Sequence, residues 1–567
     1  MLERKRVNKR NNLDLCRMSE ADTRRFNEIY TEQKKEYVKL LDRLSKNSIY
    51  WWATPLSSRN WYLSGAFKEI CISFLGIERI RQDCEIQKVF CPSQEIADTI
   101  GKYCRQNGRE IAFDVKRSTE EAGVREILFL FGQLVAGELE KYRKITEVLR
   151  GEPSNRRWAG EKITLIDTYI KASEVKKTEY EEQYFKNILD YVEGNIFFLS
   201  KIILNTRTPI EMLVKQIRKN SKYRYLFQEQ FLKISDYCKL LYYPLFCLGF
   251  CLNKKYMCHV DVTAIINRDL RQGIASNNAV DGLLKYFAVR RMKRRGLEIG
   301  KLIGWYEGQP SSNGLFFGYR TAYPAGKSTG YIGYALDRNN INIAPGKVQA
   351  RHKAAPQKMA VIARCFQQIP RQFVTDTEVS IVPALRLQKV NEYRARSSGD
   401  QKKVLIALSY EKKTSAAMLR WIKEAECFFR ENNIKLHLKN HPCNTEMRLK
   451  NYGIAELNCP YIFVSGAFGE AVSEADLVIT TQSNAGYETA LYGKPIVFMN
   501  FPSQLNMNYM PHEWEGERFE VVYDTGELET AVKKFLEKSL AAIDLHSEMF
   551  HVAATRETVS RLFDEKI

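Results

Sequence analysis

Several patterns that would assign a function at once are missing from this sequence. Its 13 cysteines include no CxxC pair, and its 7 histidines form no His/Cys cluster with zinc-like spacing. Neither a disulfide framework nor a metal site is therefore predicted. Reduced and mostly buried cysteines fit a cytoplasmic protein. No DxD sequence occurs, so no metal is expected to bridge substrate phosphates.

Apolar runs long enough to cross a bilayer are also missing. The longest nearly unbroken run, LLYYPLFCLGFCL from Leu240 to Leu252, contains Pro244 and is too short for a membrane span. We interpret it as a buried core element, with an interfacial membrane contact as the alternative. The charged start, MLERKRVNKR, argues against a secretory signal.

Charge of one sign is in clear excess. The chain of 567 residues has a formal net charge of +20, which should attract nucleic acid, acidic lipid or a phosphorylated substrate. No zinc finger, RRM-like aromatic motif or helix-turn-helix pattern is present, so nucleic acid is not the expected partner. The basic first 10 residues and RRMKRR at 290–295 are most simply solvated faces.

The first part of the chain predicts a helical segment followed by an α/β domain. Residues 1–46 are basic, and apolar residues recur near helical spacing between Ser19, a plausible cap, and Leu44. This helix could pack on the body or on a membrane, and we expect packing. From 47 to 345, short apolar runs beginning with SIYWWAT alternate with helical stretches. That alternation predicts a parallel, doubly wound domain with a helical insertion.

The later part predicts a second domain of the same class. Residues 346–400 carry turn formers and charge with little periodicity and are expected to be a linker. Residues 401–540 alternate cleanly between strands and helices, which predicts a second doubly wound, Rossmann-like domain. Residues 541–567 are expected to form a C-terminal helix.

A polar stretch in the second domain is the first candidate site. In TTQSNAGYETALYGKPIVFMN, from Thr480 to Asn500, an apolar strand gives way to the start of a helix, where ligands bind in such sheets. Ser483 is a natural N-cap, and the next residues would leave N–H groups open to a phosphate. Glu488 could accept hydrogen bonds from ribose hydroxyls. Alternatively, Glu488 only neutralises the helix start and Gly486 only permits close packing.

A second stretch adds donors at the same edge of the sheet. LHLKNHP places Lys439 and His441 just past another strand, where they could stabilise charge on phosphate oxygens. Together with the SNAGYE loop, this arrangement favours a nucleotide site.

These motifs resemble a known group of enzymes. KNHP followed by TTQSNAGYE and GKPIVF resembles the nucleotide-binding half of bacterial GT-B glycosyltransferases that build surface carbohydrates. That group includes capsule Kdo transferases, polysialyltransferases and, more distantly, CDP-glycerol glycerophosphotransferases. WWATPLSSRNWYLSGAFKEIC, ITLIDTYI and WYEGQPSSNGLFFGYR are similar to upstream segments of the group. The resemblance covers residues 47–535 and implies an α/β, GT-B-like fold in which two Rossmann-like domains face a cleft.

The resemblance also implies roles for individual residues. Phosphate, sugar and ribose contacts of the donor would come from Ser409, Lys439, His441, Ser483, Asn484, Gly486 and Glu488. Of these, His441 would also act in catalysis.

On the acceptor side, Glu307 in WYEGQP occupies the place of an acidic residue and is the candidate base, with a salt-bridge role as the alternative. Thr54, Ser57, Ser58 and Arg59 in TPLSSRN could contact an acceptor sugar, or could form a turn and cap a helix.

The chain departs from the group's pattern near Glu307. Gly308 stands where an Asn is usual, the serines at 311 and 312 stand where a second Glu is usual, and GYIGY lacks the His of a GYQH-like segment. Either the acceptor side has diverged or catalysis has been lost.

The resulting hypothesis is a cofactor-free, metal-independent glycosyltransferase. It would move a sugar from a nucleotide-activated donor, with CMP-Kdo or CMP-sialic acid favoured by the resemblance, to a surface polysaccharide or lipid-linked glycan. The alternative is a noncatalytic sugar-nucleotide or polysaccharide-binding protein of the same fold. Under the first hypothesis, anionic lipid of the inner membrane would attract the cationic chain, with peripheral contact through the N-terminal segment or RRMKRR.

Overall fold

The computed structural model describes residues 11–116, 123–150, 162–175, 180–204, 206–387, 401–441, 448–538 and 548–564. The strands up to residue 387 are β1 Asn12–Asp14, β2 Lys88–Cys91, β3 Ala112–Val115, β4 Lys162–Lys171, β5 Ile196–Ile203, β6 Tyr225–Phe227, β7 Tyr256–Met257, β8 Val260–Asp261, β9 Glu298–Trp305, β10 Lys327–Ile332, β11 Lys358–Val361 and β12 Glu378–Ile381. The later strands are β13 Lys403–Ala407, β14 Lys435–Lys439, β15 Tyr461–Phe463, β16 Leu477–Thr480, β17 Ile496–Met499 and β18 Phe519–Val522.

The helices up to residue 387 are α1 Glu20–Leu44, α2 Ile49–Trp52, α3 Pro55–Ser58, α4 Ala66–Gln82, α5 Gln94–Gln106, α6 Val124–Val148, α7 Ile210–Asn220, α8 Ile234–Leu240, α9 Tyr242–Phe250, α10 Thr263–Gly273, α11 Asn277–Arg294, α12 Pro310–Ala322 and α13 Lys347–Arg351. The later helices are α14 Lys412–Glu424, α15 Glu426–Glu431, α16 Phe468–Glu474, α17 Ala485–Leu491, α18 Thr525–Glu537 and α19 Arg556–Ser560. None of the described helices is long and apolar enough to cross a membrane.

The first half is built on a parallel sheet of seven strands in the order β12-β11-β10-β9-β4-β5-β6. Its central strands are apolar runs because helices cover both faces of a parallel sheet. Among the strands of this sheet, β4 comes first in the chain and β9 comes fourth. The two lie side by side, so the strand order reverses direction between them. Ligands bind beside such a reversal.

The second half repeats this plan with six parallel strands in the order β15-β14-β13-β16-β17-β18. Here the first strand, β13, lies beside the fourth, β16, and the order reverses between them. The predicted α/β class with two doubly wound, Rossmann-like domains is therefore confirmed.

One predicted strand is wrong, and two others belong to a different sheet. SIYWWAT contains the short helix α2, whose first turn is capped by Ser48, and Thr54 then caps α3 ahead of Pro55. These helix-start signals outweigh the β propensity of the tryptophans. Strands β2 and β3 pair with β1 in a separate three-stranded parallel sheet.

The expected linker is also corrected in part. Within residues 346–387, β11 pairs with β10 and β12 pairs with β11, so this stretch completes the first sheet. Each of the two strands is only 4 residues long, which is too short to produce a clear period in the sequence. Residues 388–400 lie outside the described residues.

The N-terminal helix packs on the body, as expected. Ser19 caps α1, and the face that carries Phe26, Tyr30 and Tyr37 is buried. The helix touches both halves of the molecule, because the side chain of Asn27 bonds the backbone of Gln504 and Asn506 in the second half. Residues 1–10 lie outside the described residues.

The C-terminal segment returns from the second half to the first. Asp564 pairs with Lys358 of β11, and the backbone of Arg364 bonds the Glu548 carbonyl at 2.9 Å. The expected helix at 541–567 is reduced, in the described residues 548–564, to α19 and a short 3-10 turn.

Gly282 in α11 and Gly314 in α12 set the distance between these two helices. They thereby also fix the position of residues 307–309, which precede α12. A Cβ on Gly314 would lie 2.0 Å from the carbonyl oxygen of Gly282, and a Cβ on Gly282 would lie 2.4 Å from that of Pro310. The helices therefore touch backbone to backbone, and Pro310 follows directly on residues 307–309.

Replacing Gly314 with alanine should destabilise the protein by at least about 1–3 kcal/mol, since backbone cannot yield as a side chain can. The melting temperature should fall accordingly. A matched control is Gly137→Ala in α6, where nothing lies within 4 Å of the added Cβ. That change should be neutral or stabilising by about 0.4–1 kcal/mol. Equal melting temperatures for the two variants would contradict the backbone contact.

Candidate active site

A cavity of about 770 Å³ lies between the two large sheets. This volume is typical of small-molecule sites. Residues from both halves line it, among them Asn60, Trp61, Tyr62, Trp305, Glu307, Gln309, Asn342, Arg386, Ser409, Tyr410, His441, Ser483, Asn484 and Glu488. Because β9, β13 and β16 all end here, the strand-order reversals of both sheets open onto one space.

Glu307 enters the cavity from the end of β9 with its carboxylate held on both oxygens. The indole N–H of Trp305 donates to Oε1 at 2.7 Å, and the amide of Gln309 donates to Oε2 at 2.5 Å. Burial raises the pKa of Glu307, opposed by the Trp305 hydrogen bond and by the charges of Arg386 and Lys171. A positioned carboxylate with a raised pKa suits a general base.

The backbone around Glu307 is fixed as firmly as its side chain. The Asn342 amide donates to the Glu307 carbonyl at 2.8 Å, and the Asn60 amide donates to it at 3.2 Å. Gly308 has a φ of +57°, and a Cβ there would lie 2.1 Å from the Asn342 carbonyl oxygen. This contact explains why glycine stands at the position where the resembling group has Asn.

The loop after β16 brings Ser483 and Asn484 to the cavity but corrects the role expected of its N–H groups. The N–H of Ala485 donates to Ser483 Oγ at 3.1 Å, and that of Gly486 donates to the Ser483 carbonyl at 3.2 Å. Two of the groups expected to face a phosphate are therefore engaged within the loop. Asn484 Oδ1 accepts the Ala335 N–H of the first half at 2.9 Å.

Gly486 is buried and does not line the cavity. A Cβ there would lie 2.3 Å from the Phe498 ring, so glycine lets α17 approach β17. The structure thus gives Gly486 the packing role that the sequence had left as an alternative.

Glu488 lies in α17, one turn inside the helix, and its side chain lines the cavity. Burial raises the pKa of Glu488 to about 7, opposed by the charge of Arg386. At neutral pH the carboxylate is therefore close to its titration point and its charge responds to whatever binds beside it.

Of the residues beyond β13 and β14, the structure brings Ser409 and His441 to the cavity but not Lys439. The Lys439 ammonium donates to the Gly466 carbonyl at 2.8 Å on the other side of the strand end. The strand β14 ends at Lys439, so the side-chain alternation of a strand no longer places Lys439 and His441 on the same side.

Burial and the charge of Lys171 lower the pKa of His441, and Tyr410 packs edge-on against its ring, with the ring centroids 5.6 Å apart. His441 is neutral at pH 7 and can act as a hydrogen-bond donor.

The four residues expected on the acceptor side do not reach the cavity. Thr54, Ser57, Ser58 and Arg59 are all buried, and the hydroxyls of the first three bond the local backbone. Arg59, in the left-handed region, bonds Gln349. They form a turn and a cap, the alternative considered from the sequence.

The residues just after that turn line the cavity instead. Asn60, Trp61 and Tyr62 face it, and the Trp61 and Tyr62 rings lie with centroids 3.7 Å apart. The predicted acceptor-side residues end at Arg59, one position before Asn60. The signal that could have found them is the aromatic pair in RNWY, next to polar turn residues.

Arg386 is another cavity residue that the sequence did not indicate. Its guanidinium carbon lies 5.5 Å from the Tyr184 ring centroid and 5.7 Å from that of Trp305. Its charge opposes the rise in the pKa of both Glu307 and Glu488. Arg386 therefore acts electrostatically on one carboxylate from each half.

Within the described ranges, no group of three His, Cys, Asp or Glu side chains could hold a metal ion.

Two Rossmann-like domains whose strand ends face one ligand-sized cavity define a protein of GT-B fold. Neither a protein-family model nor a curated protein matches the chain. Among solved structures it is similar to UDP-GlcNAc 2-epimerase from Methanocaldococcus jannaschii, with a TM-score of 0.41, 12% identity, and coverage of 71% of this chain and 99% of that one.

Two further structures are similar to the same extent. UDP-GlcNAc 2-epimerase from Neisseria meningitidis, bound to UDP-GlcNAc, gives a TM-score of 0.41 at 9% identity, covering 71% of this chain and 99% of that one. MurG from Acinetobacter baumannii gives 0.38 at 11% identity with the same two coverages. At such scores no residue of this chain is matched to a residue of theirs, and the site rests on its own geometry.

The raised pKa of Glu488 predicts a pH-dependent stability. The folded protein holds this proton more tightly than the unfolded chain, so Glu488 favours folding below its ordinary pKa of 4.5 and loses that advantage as pH rises towards 7. The stability of Glu488→Gln relative to wild type should therefore increase between pH 4.5 and 7.5, by about 1–3 kcal/mol in all.

Melting temperatures measured across that pH range test the prediction. The same substitution at the exposed Glu513 is the control. A difference between Glu488→Gln and wild type that stays constant with pH would contradict the raised pKa.

Proposed function

We propose that this protein is a GT-B glycosyltransferase that moves a sugar from a nucleotide-activated donor to a glycan acceptor. The observation that carries the proposal is that Glu307 of the first half and Glu488 and His441 of the second half line one cavity. An acceptor-side base and donor-side hydrogen-bonding groups are what sugar transfer requires in a single space.

On the donor side, the ribose and phosphates would be held by different groups. Glu488, as a carboxylate, would accept hydrogen bonds from two ribose hydroxyls. His441, being neutral, would donate to a phosphate oxygen, and Arg386 would supply the positive charge that Lys439 does not bring to the cavity. A guanidinium suits this task because it binds phosphate through paired hydrogen bonds.

On the acceptor side, Glu307 would take the proton of the attacking hydroxyl. Its two fixed oxygens leave the carboxylate little freedom to turn, so one lone pair keeps a constant direction. Charge that develops on the departing phosphate would face Arg386 and His441, a fixed arrangement that needs no metal in this proposal. Trp61 and Tyr62 would offer flat apolar surfaces to an acceptor sugar.

The resemblance of the motifs favours CMP-linked Kdo or sialic acid as the donor and a surface polysaccharide or lipid-linked glycan as the acceptor. Work on a lipid-linked acceptor would place the protein at the inner face of the bacterial inner membrane.

A thermal-shift screen with CMP, CDP, UDP and GDP tests the donor site. A nucleotide that binds only the folded state raises the melting temperature, by an amount that grows with its concentration. We expect one nucleotide to do so and the shift to disappear in His441→Ala and Arg386→Gln. The control is His512→Ala, at an exposed histidine. No shift with any nucleotide, or equal shifts in all variants, would reject the site.

Turnover of the donor separates the enzyme from a noncatalytic binding protein. Glu307→Gln keeps the shape and the Trp305 contact but removes the base, so we expect a loss of about 10²–10⁴-fold in nucleotide release from the sugar donor. The nucleotide-induced thermal shift should stay. If wild type binds nucleotide but releases none from any donor, with glycan present, the binding-protein alternative replaces the enzyme.

A further inference from the structure

The helices α8 and α9 and the residues beside them carry several exposed apolar side chains. Ile234 is 63% exposed, Leu245 is 66% exposed and Leu252, just after α9, is 86% exposed, with Leu241 and Tyr242 exposed between them. No charged residue occurs from 240 to 252. The sequence alone favoured a buried element here, and the structure buries only one face of it.

The opposite face of α9 is packed against the domain, which keeps the exposed face towards solvent. Tyr243, Pro244 and Cys247 are buried, and the rings of Phe250 and Trp51 lie 5.0 Å apart across α9 and α2. The exposed face is therefore a fixed surface of the folded domain.

The neighbouring helix α6 extends the surface. Phe129 is 64% exposed, and Leu128 and Leu130 beside it are also exposed. The next residue, Phe131, is buried with its ring 6.3 Å from that of Tyr243 in α9, and α6 also contacts α8. Residues 127–137 of α6 carry no charge. We call the exposed apolar residues of α6, α8 and α9 the apolar platform.

Basic residues border the platform. Lys233 and Lys254 flank the α8–α9 segment at its two ends, Arg125 opens α6, and Arg290 and Arg294 lie at the end of α11, which packs on α8. All five are exposed. Glu126 is the exposed acidic residue among them.

We propose that the apolar platform docks the protein on an anionic membrane surface. Apolar side chains with a basic border match the acyl boundary and headgroups of such a membrane. None of the three helices is long and apolar enough to cross it. A second copy of the chain is the competing occupant, but it would bring two basic borders together. Exposed apolar side chains grouped on helices that contact one another indicate an interaction surface.

The α9 part of the platform is the stretch for which the sequence left an interfacial membrane contact as the alternative. The other two contacts considered from the sequence are not part of the apolar platform itself. The apolar face of α1 is buried in the core. In RRMKRR, Arg291 pairs with Asp236 and Lys293 pairs with Glu298, and Arg295 donates to the Gln230 carbonyl at 2.7 Å. Arg290 and Arg294 are exposed and form part of the basic border.

Flotation with phosphatidylcholine vesicles, with and without phosphatidylglycerol, tests the proposal on the full chain without nucleotide. Its outcome is thus separate from that of the proposed activity. We expect wild type to float with the anionic vesicles, and the triple variant F129S/L241S/L245S to bind them at least about tenfold less. The control I462S/M549S changes two exposed apolar residues outside the platform and should float like wild type.

Three outcomes would overturn the proposal. They are no flotation of wild type on anionic vesicles, flotation of the triple variant equal to wild type, or a wild-type dimer in analytical ultracentrifugation that the triple variant abolishes. Because the three substituted side chains are exposed, the triple variant should have the melting temperature of wild type. A loss of flotation at an unchanged melting temperature is not a loss of folding. Weaker flotation of K233S/K254S on anionic vesicles would support the role of the basic border.

Discussion

The site depends on a backbone-to-backbone contact between α11 and α12. Gly282 and Gly314 let the two helices touch, and this contact fixes where α12 begins. The strand β9 fixes the other end of the same short connection. Residues 306–309 are thereby held between two rigid elements, and Asn60 and Asn342 complete the support by bonding the Glu307 carbonyl. A carboxylate in a cavity of this size is useful only if its direction is constant.

The electrostatics of the cavity are those of two carboxylates that share one cation. Burial works against the charged forms of both Glu307 and Glu488, and Arg386 works in favour of both. A phosphate that pairs with Arg386 would weaken that support. Donor binding would then raise the proton affinity of Glu307, which is the direction that improves a base.

The candidate site residues that follow clear strands could be predicted from the sequence. Glu307, Ser409, His441, Ser483 and Glu488 lie directly beyond or one turn after β9, β13, β14 and β16, where a parallel sheet gathers its ligands. The sequence does not show which way a side chain points at a strand end, as for Lys439. It also does not mark residues where the hydrophobic periodicity is weak. Arg386 follows a four-residue strand inside the expected linker, so nothing in the pattern marked it. The capping role of Thr54 and the packing role of Gly486 were foreseen as alternatives, and only the fold could choose between them.

The hydrogen bond from the Ala335 N–H to Asn484 Oδ1 joins the two halves through a residue of the candidate donor loop. Such a bond contributes only about 0.5–1.5 kcal/mol, so it can be exchanged for a ligand contact. A donor that uses the Asn484 side chain must take it from the other half of the molecule. Occupancy of the loop and this bond between the halves would then compete, so a donor that bonds Asn484 Oδ1 would weaken the attachment of the two domains by up to the value of that one bond.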